Sequence, residues 1–353
     1  MKSKKKTSIY IIIAVIFIIS FIFLAAKPLA KEYNFEPCWN VNISNPTVKN
    51  VTDKNTMYYR LGQTIGYITE DGEITLNKTF PSKVSISNNF YSIYNTNSSQ
   101  IKFFDSNGNE KGTFEAEGFP YFCKDLIYTF LPGGSSFAKC NQSGNIEWKY
   151  EGTIPITAFN AKNNYTILGL SNGTIKIFNN LNGNVEETFT PGGSDLPVIL
   201  GCDVSEDGKY IASLSGQNKQ RFVLASRDNN QLKIIYHKFL DSTSPNQNLV
   251  YFCNDGNRVI YNYENNIGIY NIEKEINNSI PVDKHIISIK ESKNLIILLG
   301  KNNKDYTIYM IDRNNTLVGK FSFTSEYAFI NTDENSLYVG KDSRISKINL
   351  SIK

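Results

Sequence analysis

From about residue 38 onward the chain is written in short runs rich in Ile, Val, Tyr, Phe and Thr. Many of these runs alternate apolar with polar residues, and Gly, Asn, Asp or Pro interrupts them every ~8–12 positions. A period of two sends alternate side chains to opposite faces, which is the pattern of a strand with one face against a core. No run in this part keeps a helical period of apolar residues for three turns, so an all-β chain is expected.

The interruptions themselves recur. Glu70-Asp71-Gly72, Asp105-Ser106-Asn107-Gly108, Asn141-Gln142-Ser143-Gly144 and Asn180-Leu181-Asn182-Gly183 each follow a strand-like run, and their glycines are 36, 36 and 39 residues apart. Asp312-Arg313-Asn314-Asn315 is a later copy. Asp or Asn with Gly accepts the positive φ of a tight hairpin. An aromatic follows the turns (Phe80, Phe114, Trp148, Phe189 and Phe321), placed to pack between neighbouring units. The spacing is that of a four-stranded propeller blade. The best copy runs Ile156 to Phe159, Tyr165 to Leu170, Thr174 to Phe178 and Val185 to Phe189.

Repeating that plan gives a β-propeller of about eight four-stranded blades between Cys38 and Leu350, with seven as the competing count. The last set of strands lacks a fourth member, and the first strand after the N-terminal segment, Trp39 to Ile43, has no set of its own. It is therefore expected to complete the last blade and close the ring, removing the exposed edges. The domain plan is a basic tail over 1–8, an apolar segment over 9–26, a linker over 27–37 and one propeller domain over 38–353.

Residues 9–26 carry no charge and are apolar apart from Tyr10 and Ser20. As a helix they would reach ~27 Å, close to the hydrocarbon thickness of a bilayer. The apolar region of a cleaved signal peptide is usually shorter, and Leu24 ahead of Ala26 makes a poor cleavage site, so a retained transmembrane signal anchor is expected. Cys38 lies too far beyond the run for lipid attachment. Lys2, Lys4, Lys5 and Lys6 keep the N-terminus in the cytoplasm, which places the propeller on the extracytoplasmic side, periplasmic or extracellular.

Composition adds little to this. The 353 residues are 41% hydrophobic and 13% aromatic, enough for a sizeable core, and the net charge of +4 is concentrated in the lysine tail. No broad basic field is left for nucleic acid. Of the five cysteines, Cys123, Cys202 and Cys253 sit at similar points of three repeats and read as small buried residues on corresponding strands. Cys38 and Cys140 complete the set, and no Cys-x-x-Cys pair supports a metal or redox centre.

Ser171-Asn172-Gly173-Thr174-Ile175-Lys176-Ile177-Phe178-Asn179 resembles the third strand of a WD40 repeat, with Phe178-Asn179 where Trp-Asp usually stands. Val204 to Ala212 resembles the Ser-Pro-Asp-Gly turn of the same repeats and of related periplasmic propellers. The stretch Ser143 to Tyr150, through Trp148, is similar to the repeat of quinoprotein-like propellers, which include the lipoprotein that assists outer-membrane protein assembly. That resemblance implies eight blades. The Gly-His pair of WD40 blades is absent, and only Trp148 stands for the quinoprotein tryptophan, so the resemblance speaks for the fold and not for one family's function.

The search for chemistry assigns no catalytic, cofactor-binding or metal-ligating residue, and it leaves the binding residues unassigned. His237 and His285 fall in different repeats with no His or Cys at ligand spacing. No Gly-x-Ser-x-Gly elbow marks a nucleophile. Pro132-Gly133-Gly134-Ser135-Ser136 and Pro191-Gly192-Gly193-Ser194-Asp195 could cradle phosphate only ahead of a helix, and strands follow both. Tyr58, Tyr59, Tyr91, Tyr94, Tyr261 and Tyr263 are candidate rim aromatics, with packing between blades as the ordinary alternative. These features point to a membrane-anchored scaffold that binds an envelope protein or peptide without enzymatic activity or cofactor. The alternative is a propeller enzyme, or a small-ligand or carbohydrate binder of quinoprotein-like type.

Overall fold

The computed structural model describes residues 13–21, 33–48, 55–95, 100–228 and 231–352. Residues 13–21 are helical; nearly all the remaining regular structure is β-strand. The strands form eight antiparallel sheets. In chain order these are blade 1 (56–79), blade 2 (83–113), blade 3 (119–150), blade 4 (156–189), blade 5 (199–239), blade 6 (250–281), blade 7 (285–324) and blade 8 (328–352 with 33–42). First strands of successive blades lie side by side, and blade 8 meets blade 1, so the sheets close into an eight-bladed ring. The described residues of 36–349 make one compact unit, and those before Glu36 and after Asn349 group apart from it.

Burial along the strands explains the arrangement. The second strands are covered on both faces: Tyr165–Leu170, Tyr210–Ser215, Arg258–Tyr263 and Leu295–Asn302 are nearly continuous buried runs. A blade sandwiched between two neighbours needs apolar side chains on both faces, as a doubly covered sheet does. Fourth strands such as Val185–Phe189 and Gln231–Phe239 alternate or lie mostly exposed, since they form the rim. The core is therefore a series of clusters, each shared by two adjacent blades. Ile260, Ile267 and Ile269 of blade 6 meet Ile296, Leu298 and Ile311 of blade 7, all essentially inaccessible. Each such side chain contributes about 1.5–3 kcal/mol through burial.

Three of the recurrent turns share one geometry. Asp105 Oδ1 accepts the amides of Asn107 and Asn109 at 3.0 and 2.9 Å, Asn141 Oδ1 those of Ser143 and Asn145 at 2.9 and 3.1 Å, and Asp312 Oδ1 those of Asn314 and Thr316 at 2.9 and 2.8 Å. The side chain thus caps the hairpin it opens. The aromatics that follow behave as expected at Phe80, Phe114 and Trp148, which are buried between blades, while Phe189 and Phe321 are half-buried.

Ring closure follows the expectation as well. The N-terminal strand runs Tyr33–Asn42, so residues 33–37 of the expected linker already belong to it, and it lies outside Arg344–Ile352 as the fourth strand of blade 8. Asn40 seals the pair: its Nδ2 donates to Ser346 Oγ at 2.6 Å and its Oδ1 accepts from the Arg344 guanidinium.

Two expectations require correction. Blade 1 has three strands, Thr56–Leu61, Thr64–Thr69 and Ile74–Thr79. Tyr59 lies opposite Gly66 as Tyr261 lies opposite Gly268 in blade 6, and Phe80 N donates to Gln63 O as Val282 N donates to Asn265 O. These are thus the second, third and fourth strands of an ordinary blade, and the described residues include no first strand for it. Thr56–Leu61 takes the innermost place and runs opposite to its neighbours there. Tyr58 at its start lies beside Lys290 at the end of His285–Glu291, and Gly62 just past its end lies beside Tyr327, just ahead of Ala328–Thr332. On the outer side Val48 N donates to Ile74 O at 2.8 Å, so the chain leaving the closing strand flanks blade 1.

The second correction concerns the N-terminal segment. The helix covers 13–21 of the expected 9–26, and the rest of that segment, like the 1–8 tail, lies outside the described residues. Among the described residues no helix is long and apolar enough to cross a membrane.

Candidate functional site

The first strands of the blades line the middle of the ring, and their ends carry a belt of buried charge. Asp203 is fully buried at the end of the first strand of blade 5. It accepts from Lys162 Nζ of blade 4 at 3.2 Å, from Phe252 N of blade 6 at 2.8 Å and from Val204 N at 2.9 Å. Burial pushes its carboxyl up, and Lys162 opposes that shift. On blade 7, Glu291 accepts from Asn254 N of blade 6 at 2.8 Å and Tyr251 Oη at 3.3 Å, while Arg258 Nε reaches Asp255 at 2.7 Å. Burial raises Glu291 too. Each of these groups bonds across a blade boundary or steadies one that does. The belt therefore locks neighbouring blades in register, with its carboxylates already satisfied.

A cleft of different character opens on the inner wall where blades 7, 8 and 1 meet. It has a volume of about 490 Å³, and its walls come from His285–Glu291, Ala328–Thr332 and the reversed strand Thr56–Leu61. Arg60, Lys290 and Lys301 line it beside Tyr58, Tyr306 and Tyr327, and its lining includes no Asp or Glu. None of the three cations has a salt bridge among the described residues. Each is held instead against an aromatic ring: Arg60 over Phe80 at 5.3 Å, Lys290 over Tyr58 at 5.6 Å and Lys301 over Tyr306 at 5.2 Å. Such contacts steady a side chain while leaving its donors free for a ligand. Ile287 and Phe329 supply an apolar floor.

Of the six tyrosines proposed from sequence, only Tyr58 reaches this cleft. Tyr59, Tyr91, Tyr261 and Tyr263 are buried between blades, and Tyr94 is half-buried against Phe119. His237 is exposed on the outer strand of blade 5 and His285 at the start of the first strand of blade 7, so they do not converge. The two Pro-Gly-Gly loops connect strands, Phe130 to Phe137 within blade 3 and Phe189 to Ile199 between blades 4 and 5. Cys123, Cys202 and Cys253 lie on or just past the first strands of blades 3, 5 and 6, and all five cysteines are free. Burial raises Cys123, Cys202 and Cys253, and carries Cys140 to about 12.

A family model described as beta-propeller protein matches residues 1–352. The chain belongs to that family. A protein of Treponema pallidum (strain Nichols), described only as uncharacterized, is 23% identical over 363 residues, spanning 99% of this propeller and 96% of that protein. Among solved structures the propeller is similar to BamB from Moraxella catarrhalis, with a TM-score of 0.61, 13% identity, and coverage of 90% of this chain and 98% of that one. It is also similar to the computationally designed Ika8 protein, with a TM-score of 0.63, 16% identity, and coverage of 85% and 94%. At these identities the likeness is one of fold.

Arg60 went unnoticed in the sequence because it lies in a different blade from Lys290 and Lys301, which are themselves on separate strands of blade 7. The local signal is a cation on or beside an inner strand near a tyrosine, which becomes a site only when blades 7, 8 and 1 come together.

Proposed function

We propose that this propeller is a non-enzymatic binding scaffold of the cell envelope, tethered at the outer face of the cytoplasmic membrane by its N-terminal apolar segment. The reading rests chiefly on the cleft between blades 7, 8 and 1. It is concave, rich in aromatic and cationic side chains, open to solvent, and built on strands of a rigid ring. Such a surface recognises a partner without rearranging. The rim adds a second mode of contact, since the outer strand Gln231–Phe239 leaves Ile234, Ile235 and Phe239 exposed along a free edge suited to strand addition.

The anchor reading draws on the uncharged stretch 9–26, on the lysines ahead of it, and on the helix at 13–21, whose Ile13, Ile16, Phe17 and Phe21 face solvent more than half exposed. A tethered scaffold should remain with membranes after carbonate washing and be digested by protease added to spheroplasts. Recovery of intact protein in the soluble fraction would remove the tether from the model.

The scaffold itself is tested by placing a photo-crosslinking residue at Tyr327 in living cells. One recurrent envelope protein should be captured. The small-ligand reading draws on Tyr58, Tyr306 and Tyr327 around a cleft of drug-like size. It would be favoured if no protein were captured while a sugar or small acid raised the unfolding temperature of the purified ring.

A further inference from the structure

We propose that the cleft between blades 7, 8 and 1 binds an extended acidic peptide segment, the carboxylates of which pair with Arg60, Lys290 and Lys301. This deepens the scaffold reading above and rests on it. Three observations carry it. The cleft lining contains three cations and no acid, so its field selects anions. The carboxylates on the first strands of blades 5 and 7, Asp203 and Glu291, are occupied by Lys162, Arg258 and backbone amides, so they do not neutralise it. The length also fits: Tyr58 and Gly62 line opposite ends of the reversed strand, about 13 Å apart at strand rise, which accommodates four or five residues of an extended chain.

The cations lie on three strands of two blades rather than on one loop. Lys290 stands toward the end of the first strand of blade 7, Lys301 follows on its second strand, and Arg60 stands across from them on blade 1. A single phosphate or carboxylate would engage one or two of them. A chain bearing acids at alternate positions can engage all three while its apolar side chains rest on Ile287 and Phe329. Among the described residues no first strand of blade 1 covers Thr56–Leu61, which leaves Arg60 on the inner wall. Thr56–Leu61 has the pairing of a second strand, and in an ordinary blade a first strand would lie between it and the middle of the ring.

The probe is a fluorescein-labelled peptide alternating Glu with Ala and Leu, titrated by anisotropy into the purified ring, beside its Glu-to-Gln counterpart. The acidic peptide should bind and the Gln peptide should not, with affinity falling steeply as salt rises. Arg60→Gln, Lys290→Gln and Lys301→Gln should each weaken binding about tenfold. Ile287→Glu should abolish binding with every cation in place, which guards against a variant that has lost its fold. Equal binding of the Gln peptide, indifference to all four substitutions, or mole-for-mole competition by free glutarate would overturn the proposal. If the crosslinked envelope partner were still captured by the Lys301→Gln and Ile287→Glu proteins, the scaffold reading would stand and this cleft would not be its site.

Discussion

The contact between Trp148 and Gly183 offers a quantitative test of how one blade docks on the next. Trp148, on the fourth strand of blade 3, donates from Nε1 to Asn180 O of blade 4 at 3.0 Å and stacks on Phe178 at 5.8 Å with 13° between the rings. Gly183, in the turn it rests on, has φ +72°, and a Cβ added there would fall 2.6 Å from Trp148 Cγ. Trp148→Ala empties a buried aromatic site and should cost about 3–5 kcal/mol. Gly183→Ala should cost about 1–2 kcal/mol for the left-handed backbone and about 1–3 kcal/mol more for the clash. In the double variant the indole is gone and only the Cβ of residue 148, 2.8 Å from the added methyl, still opposes Gly183→Ala, so the ring's share of the clash is relieved. The two changes should therefore fall short of additivity by about 1–3 kcal/mol. Urea unfolding of the four proteins, followed by ellipticity, measures this directly. Additivity within about 0.5 kcal/mol would mean that the tryptophan is not seated on the turn. Trp39 makes the same contact at the ring closure, donating to Glu70 O at 3.0 Å beside Gly72.

Three further outcomes are expected. Lys162→Met leaves Asp203 buried without its counter-charge and moves its already raised pKa higher. A raised carboxyl favours the folded state at low pH and loses that contribution as pH rises through the folded value. The variant should therefore be weaker than the parent by about 3–5 kcal/mol at pH 7, with the gap closing below about pH 4; an unchanged gap between pH 7 and pH 4 would refute this. Asp283 is held at about 2, first by the Tyr309 hydroxyl and then by Lys320, so Tyr309→Phe should return it toward about 3.9, read by NMR titration of its carboxyl carbon. A thiol reagent should modify exposed Cys38 in the native protein and reach Cys140, Cys202 and Cys253 only in urea; immediate modification of all four would mean that those strands are not packed as described.

The fold was legible because its signals are local. A side chain such as Asp105 caps its own hairpin within four residues, and a fully covered second strand such as Tyr165–Leu170 declares itself by an apolar run. The closing strand could also be deduced, by counting strands against blades. The three-stranded blade was not legible, because the turn at Gly72 keeps the 36-residue step to Gly108, while the strand that the described residues lack would precede that turn. The cleft depends on that omission, so it was hidden for the same reason. The tyrosines were misjudged because residue type does not reveal which face of a strand is covered: Tyr58 and Tyr59 are adjacent, yet one faces the cleft and the other the core.

The sealing of blade 8 by Tyr33–Asn42 has a consequence for biogenesis. Asn40 and its partner Arg344 are 304 residues apart. At roughly 5–20 residues per second of synthesis, the first strand to emerge must wait tens of seconds for the last sheet to be made. During that interval it is an unpartnered ribbon, open to a chaperone or to a neighbouring copy, and the wheel cannot shut until the final residues arrive.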